Sequence, residues 1–366
     1  MQSLYESSIL LLSILIISSC STESTPVYQL TTSVEPVEAG SISPVQAEYD
    51  EGEVAEITAT ANDNWVFESW GGDLSGNSNP ATILMSSDKN ITALFKKQEY
   101  AMTINIEGEG SVMEEVVPAK TTDYPHGTIL KLTANAERGS YFNRWEGNIT
   151  GSEPEVQITL TQDREVTAFF ETGMKDVEGN IYEVVEIGDQ LWMADNLRTS
   201  EYSNGEGIQN VIDNEEWENL NIGAWSFYNH DSQFNELYGK LYNWYAVNDL
   251  RGICPEGWHV PSSSEWIALT DYLGQNAGGK MKVTDTQYWN SPNTGATNES
   301  GFSAMPSGAR NARGEFYNMG LRGYWWSSSM EDNDNAFYYF VEHDNGDVTE
   351  NSFLKSLGRP VRCIAD

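Results

Sequence analysis

Past the first 40 or so residues the chain alternates apolar and polar positions in short runs, such as Val54, Ile57 and Ala59 and then Ile91, Ala93 and Phe95. Clusters of Gly, Asn, Asp and Pro separate the runs. Alternate side chains of a pleated strand face one side, so this pattern predicts strands with one buried face. A different period starts at Ser262, where Trp266, Leu269 and Leu273 recur at i, i+3 and i+7. Ser262 and Glu265 have the Ser-x-x-Glu spacing of a capping box, and Pro261 and Trp266 that of a hydrophobic staple. Gly274 offers a left-handed C-cap. These signals predict an amphipathic helix of about three turns. Farther on, Asn345-Gly346 lies between "FYYFVE" and "DVTENSF", which predicts a hairpin closed by a type I′ turn.

The strand pattern is itself repeated. Tyr49, Gly52, Phe67, Trp70, Gly72 and Gly76 each recur 75 residues later, as Tyr124, Gly127, Phe142, Trp145, Gly147 and Gly151. "ITALF" (91–95) meets "VTAFF" (166–170) at the same offset. A fixed period of this kind marks two copies of one small unit. Aromatics dominate small cores, so Phe67, Trp70, Phe95, Phe142, Trp145 and Phe170 are expected inside. The Phe-x-x-Trp-x-Gly block and the closing Thr-Ala-x-Phe strand resemble the divergent internalin-type B-repeat family of bacterial surface proteins, over 28–98 and 99–173. The resemblance implies two small all-β domains that serve as a stalk or in adhesion.

Charge and cysteines narrow the setting. Acidic residues outnumber basic ones 55 to 20, a formal net charge of −35 that repels phosphate backbones and excludes nucleic acid as a partner. The apolar run Ile9–Ile17 has the length of a signal sequence and is too short to span a bilayer. Ile17-Ser18-Ser19-Cys20 resembles the bacterial lipobox, although no Lys or Arg precedes the run and Glu6 stands there instead. The expectation is a lipoprotein signal peptide over 1–19, lipidation at Cys20, a linker over 20–27, and attachment to a membrane through the lipid. The protein is then expected in the cell envelope, as an outer-membrane lipoprotein exposed to the periplasm or the cell surface. With Cys20 lipidated, Cys254 and Cys363 remain, and in an oxidising compartment they most simply form one disulfide.

From Met174 the repeat stops and tryptophan becomes frequent: 9 of the 12 lie in 174–366. "GDQLWMADNL" (188–197), "GKLYNWYAVND" (239–249), "CPEGWHVPSSSEW" (254–266), "NESGFSAMPSGAR" (298–310), "GYWWSSS" (323–329) and "GRPVRCIAD" (358–366) together resemble the Fibrobacter succinogenes major paralogous domain. That family is related to the C-type-lectin-like fold, which implies an α+β domain of two helices on a small antiparallel sheet with long loops. The whole chain thus reads as two all-β repeats followed by an α+β lectin-like domain. The resemblance also places a bridge between an early helix and the last strand, where Cys363 lies.

Candidate chemistry is sparse. The four histidines and the cysteines show no zinc spacing, and no nucleophile elbow, P-loop or dinucleotide fingerprint is present. The pairs Glu215/Glu216 and Asp332/Asp334 are ordinary in so acidic a chain, and His259 is left with no assigned partner. No cofactor is expected. Calcium is the ion weighed, since acidic loops such as "EDNDN" (331–335) offer oxygens. The lectin calcium tripeptides are degraded here, however, to Ser291-Pro292-Asn293 and Trp326-Ser327-Ser328. A surface glycan or protein ligand is the expected partner, because sugar rings stack on exposed aromatics. Tyr324, Trp325, Trp326, Ser327 and Trp289 are the residues expected to touch it, with Tyr288 and Asn290 beside them. Adjacent strand residues face opposite ways, so one of Trp325 and Trp326 should face outward. The function expected is binding or adhesion without catalysis. The alternatives are an enzyme on a formylglycine-generating-oxidase-like scaffold, which uses a reactive cysteine pair, and a purely structural envelope protein.

Overall fold

A computed structural model describes residues 24–116, 123–284 and 286–366. The signal peptide, the lipidated Cys20 and the start of the linker lie outside the described residues. Strands dominate, at 47% of the described residues against 11% helix. Two compact units result. One holds the first repeat with Thr122–Thr128 and Leu160–Gln162, and the other holds the rest of the second repeat and the whole C-terminal domain. Among the described residues no helix is long and apolar enough to cross a membrane.

The first repeat is two small sheets around one core. Val27–Glu35 pairs antiparallel with Gln46–Asp50 and parallel with Lys89–Lys97, which Trp65–Gly72 flanks. The second sheet sets Val54–Ala61 between Gly40–Ser43 and Ala81–Leu84. Leu30, Ile57, Trp70, Ile91 and Phe95 fill the space between, as the alternation predicts. Val54 is a correction, because the buried face of its strand is Ala55, Ile57 and Ala59, and Val54 falls outside.

The second repeat reproduces this plan. Glu99–Glu107 runs parallel to Arg164–Thr172, and Ile129–Ala136 lies between Gly110–Glu115 and Glu155–Thr159. The recurring residues have recurring jobs. Trp70 donates its indole N–H to Ser78 O at 2.7 Å, and Trp145 to Glu153 O at 3.0 Å. Phe67 lies 4.8 Å from Trp70 and Phe142 5.2 Å from Trp145. Gly72 and Gly147 turn at φ +79° and +98°, and a Cβ there would strike Asn90 O and Glu165 O at 2.2 and 2.5 Å. In the second unit the repeat meets the C-terminal domain. There Gly139 of the repeat lies close under Leu191 of the C-terminal domain.

The C-terminal domain contains a sheet in which Gln190–Met193 pairs with Val184–Ile187 and Ile364–Ala365, and the latter with Trp258–His259. A second sheet is Arg322–Met330, Asn335–Glu342 and Val348–Leu354. The predicted helix is Ser263–Leu273, with the Ser262/Glu265 capping box formed and Gly274 at φ +67°. Two helices are expected of a lectin-like domain, and among the described residues this is the one α-helix longer than five residues. The other α-helices described, Asn214–Glu218, Asn235–Tyr238, Trp244–Val247 and Ala277–Met281, span four or five residues each. The predicted hairpin forms with Val341 opposite Val348, but Asn345 and Gly346 do not adopt the left-handed conformations of a type I′ turn. The connection is a wider loop.

Candidate functional site

The surface contact expected at "YWWS" is overturned by burial. Trp325, Trp326, Ser327 and Trp289 are 0% exposed and Tyr324 2%. Neighbouring residues of Arg322–Met330 do face opposite ways, but each face is covered by its own core. Trp325 lies with Trp266, Phe302 and Tyr339, whereas Tyr324 and Trp326 lie with Tyr242, Trp244 and Tyr338. Their polar atoms are satisfied internally: Trp325 Nε1 donates to Asn196 Oδ1, Trp326 Nε1 to Tyr242 O, and Trp289 Nε1 to Ala304 O. Strand periodicity separates two faces, and only the tertiary structure tells whether either is wet.

The tryptophans instead wall in cations. Of the 12 Lys and Arg in 174–366, Arg198, Lys240, Lys282, Arg310, Lys355, Arg359 and Arg362 are buried, so the acids, nearly all outside, dominate the surface. Lys240 Nζ donates to Arg198 O at 2.5 Å and lies 4.3 Å from the Trp225 ring. Arg310 donates to Val211 O and Gly314 O with its guanidinium over Trp217. Arg362 donates to Asn196 Oδ1, Phe302 O and Ser303 O, beside the rings of Phe302 and Trp325. Six of the seven have backbone carbonyls and an aromatic face around the charge, the two environments that replace water most cheaply, whereas Arg359 lies against the rings of Tyr324, Trp326 and Tyr338 with its Nε and Nη1 unpartnered. Burial still disfavours the charge, pulling Arg362 down to about 9 and Lys282 to about 8. For Lys282 the carboxylates of Asp344 and Glu342 push back. A lone cation within an apolar stretch, as in "GKLY", "MKV" and "FLKS", is the signal that could have found them.

At the "CPEGWHVPSSSEW" corner, Cys254 and Cys363 form the expected disulfide. His259 has partners after all. Its Nδ1 lies 2.6 Å from Asp366 Oδ1 and its Nε2 2.8 Å from Glu265 Oε1. Burial works against its charge, but the two carboxylates outweigh burial and its pKa is raised. Glu265 is held below its usual range: burial opposes this, and the Ser262 amide and hydroxyl and His259 prevail. The acidic pairs are local caps. Glu215 and Glu216 open a short helix behind Asp213, and Asp332 accepts from the amides of Asp334 and Asn335. Among the described residues no group of three His, Cys, Asp or Glu is gathered to hold a metal.

One concavity of the domain was not foreseen from the sequence. A groove of about 420 Å³ is lined by Asn221, Ile222, Gly223, Trp244, Tyr245, Asn248, Asp249, Leu250 and Arg251. Asn243 caps the short helix that presents Tyr245, accepting from Ala246 N at 3.1 Å and from Ala224 N at 3.0 Å. Arg251 is locked by Asp249 Oδ1 and Oδ2 and by Glu206 Oε2, all within 2.8 Å, and lies over the Tyr202 ring. That pairing holds the Asp249 carboxyl down at about 2. Two amides, a half-buried phenol, a fixed carboxylate–guanidinium pair and the exposed Ile222 and Leu250 therefore face one space.

Two β-sandwich repeats and a loop-rich domain held by internal cations define a multidomain protein of repeat-bearing, surface or structural class. Residues 30–99 and 100–173 each match the Divergent InlB B-repeat domain, and residues 185–365 match the Fibrobacter succinogenes major domain. The chain is thus two divergent InlB B-repeat domains followed by a Fibrobacter succinogenes major domain. No curated protein matches it. Among solved structures, a mutant of the major pilin from Streptococcus pyogenes is similar at 8% identity. The likeness covers 40% of this chain and 98% of the pilin, with a TM-score of 0.17, too low to carry an argument.

Proposed function

We propose that this is an envelope lipoprotein that works by binding, with the repeats as its tether and the C-terminal domain as its ligand-carrying part. The groove at 221–223 and 244–251 is the site, and a glycan is the ligand. The observation that carries this reading is the groove's composition. Tyr245 supplies a ring for the C–H face of a sugar, and Asn221, Asn248 and Asp249 supply donors and acceptors for its hydroxyls. A pre-organised wall, with Arg251 already fixed, lowers the cost of ordering on binding. The cysteines, joined to each other, favour binding over oxidase chemistry.

The test is a glycan array probed with the wild type and with a Tyr245→Ala/Asn248→Ala variant. Binding should appear for at least one glycan class and fall about tenfold or more in the variant, roughly 1.4 kcal/mol. Binding that is absent, or equal in both proteins, would remove the glycan reading and leave a structural envelope role.

A further inference from the structure

Two acid-rich loops, 331–335 and 343–347, have the oxygen density of cation sites, and in both the backbone carbonyls turn inward onto a lysine. Lys282 is 0% exposed. Its Nζ donates to Thr294 O at 2.9 Å, Glu342 O at 2.6 Å and Asn345 O at 2.8 Å. Three acceptors satisfy all three N–H groups of an ammonium. The Trp289 ring closes the other side, 5.4 Å from Nζ. Lys355, 7% exposed, repeats the construction. Its Nζ donates to Asp332 O at 2.9 Å and Asn333 O at 2.8 Å, with Met330 Sδ at 3.8 Å and the Trp244 ring at 4.6 Å.

In the wide 343–347 loop the carbonyl of Asn345, with that of Glu342, points at Lys282. The same ammonium reaches the separate 290–297 loop through Thr294, whose amide donates to His343 O at 2.7 Å. One charge therefore joins two loops to the residue that follows the short helix Ala277–Met281.

We propose that Lys282 and Lys355 are the resident cations of these loops. Each tethered ammonium takes the place of a free cation, orders the loop without one, and leaves on removal a vacant site for a small monovalent ammonium rather than for calcium. The ligand chemistry decides this preference. Calcium takes about 6–8 hard oxygen ligands, including carboxylates. These cages offer neutral carbonyls and an indole face, which suit a soft organic cation. A tethered cation also forgoes the entropy a free ion loses on binding. In "EDNDN", which offers oxygens that calcium could use, two of the backbone carbonyls are already taken by Lys355.

The test uses the full chain with Lys282→Ala, which empties the cage, and Lys282→Met, which keeps the packing without the charge. Hydrogen exchange is read at 293–297 and 343–347, with Ser263–Leu273 as internal control. In Lys282→Met both loops should exchange about tenfold faster or more, roughly 1.4 kcal/mol of lost protection, while the helix is unchanged. In Lys282→Ala, methylammonium chloride should restore protection, and calcium chloride at matched ionic strength should not. Unchanged loop exchange in Lys282→Met, or better rescue by calcium than by methylammonium, would overturn the proposal. If either variant fails to fold, Lys355→Met and exchange at 331–335 decide by the same criteria.

Discussion

His259 shows how a residue with no sequence partner acquires two. Asp366 and Glu265 are 107 and 6 residues away, and the pairing of Trp258–His259 with Ile364–Ala365 brings all three together. Because the folded pKa is raised, the protonated imidazole stabilises the fold. That contribution is fully present below the unfolded value of about 6.5 and fades as pH rises through the folded pKa. The side chain is 41% exposed, so solvent screens the pair and the effect should not exceed about 1 kcal/mol. His259→Asn is therefore expected to lower the melting temperature at about pH 5.5 and to converge with the wild type by about pH 9. A difference that persists at high pH would assign His259 a packing role instead. Tyr324, Trp325 and Trp326 make the complementary point: their chemistry was legible, but their burial was set by two cores assembled from residues far apart in sequence.

At the scale of elements, local rules worked where the interaction was local. The capping box of Ser263–Leu273 spans a few residues and formed as spaced, and Gly274 ends the helix at positive φ, though with ψ −144° rather than in the αL conformation. The 75-residue echo likewise translated into duplicated sheets with the same bulge and the same glycine. In the second repeat two glycines carry different burdens. Gly127 turns at φ +84° in open space, so Gly127→Ala should cost only the left-handed strain, about 1–2 kcal/mol. Gly147 combines φ +98° with backbone 2.5 Å from any added Cβ, so Gly147→Ala should cost clearly more. Urea unfolding of the two variants tests the order, and a milder effect at Gly147 would contradict it. The type I′ turn did not form, and in the loop that replaces it Glu342 O and Asn345 O accept from the buried Lys282 ammonium, a distant partner that no local propensity includes.

Across the whole molecule, charge and covalency divide the work. The −35 net charge is carried outside, while most cations of the C-terminal domain are spent within it. The disulfide closes a loop of 109 residues between two buried positions of the larger core. Removing it as Cys254→Ser/Cys363→Ser should cost about 2–5 kcal/mol, most of it through the unfolded chain. In chemical denaturation this should lower the transition of the second unit and leave that of the first unchanged. Equal loss in both would mean that the units unfold together.

The sequence alone determined the repeats, the strand-rich class, the capped helix and the disulfide, because each rests on spacing, periodicity or counting, and the family order came from resemblance to known families. It pointed to the aromatic residues of the C-terminal domain but not to their use. Only the tertiary structure decided that Trp325 and Trp326 are core, that His259 lies between carboxylates, that Lys282 and Lys355 fill loop cages, and that a groove opens beside Tyr245. Burial and electrostatic pairing depend on residues some tens to more than a hundred positions apart, and those distances are set when the chain packs.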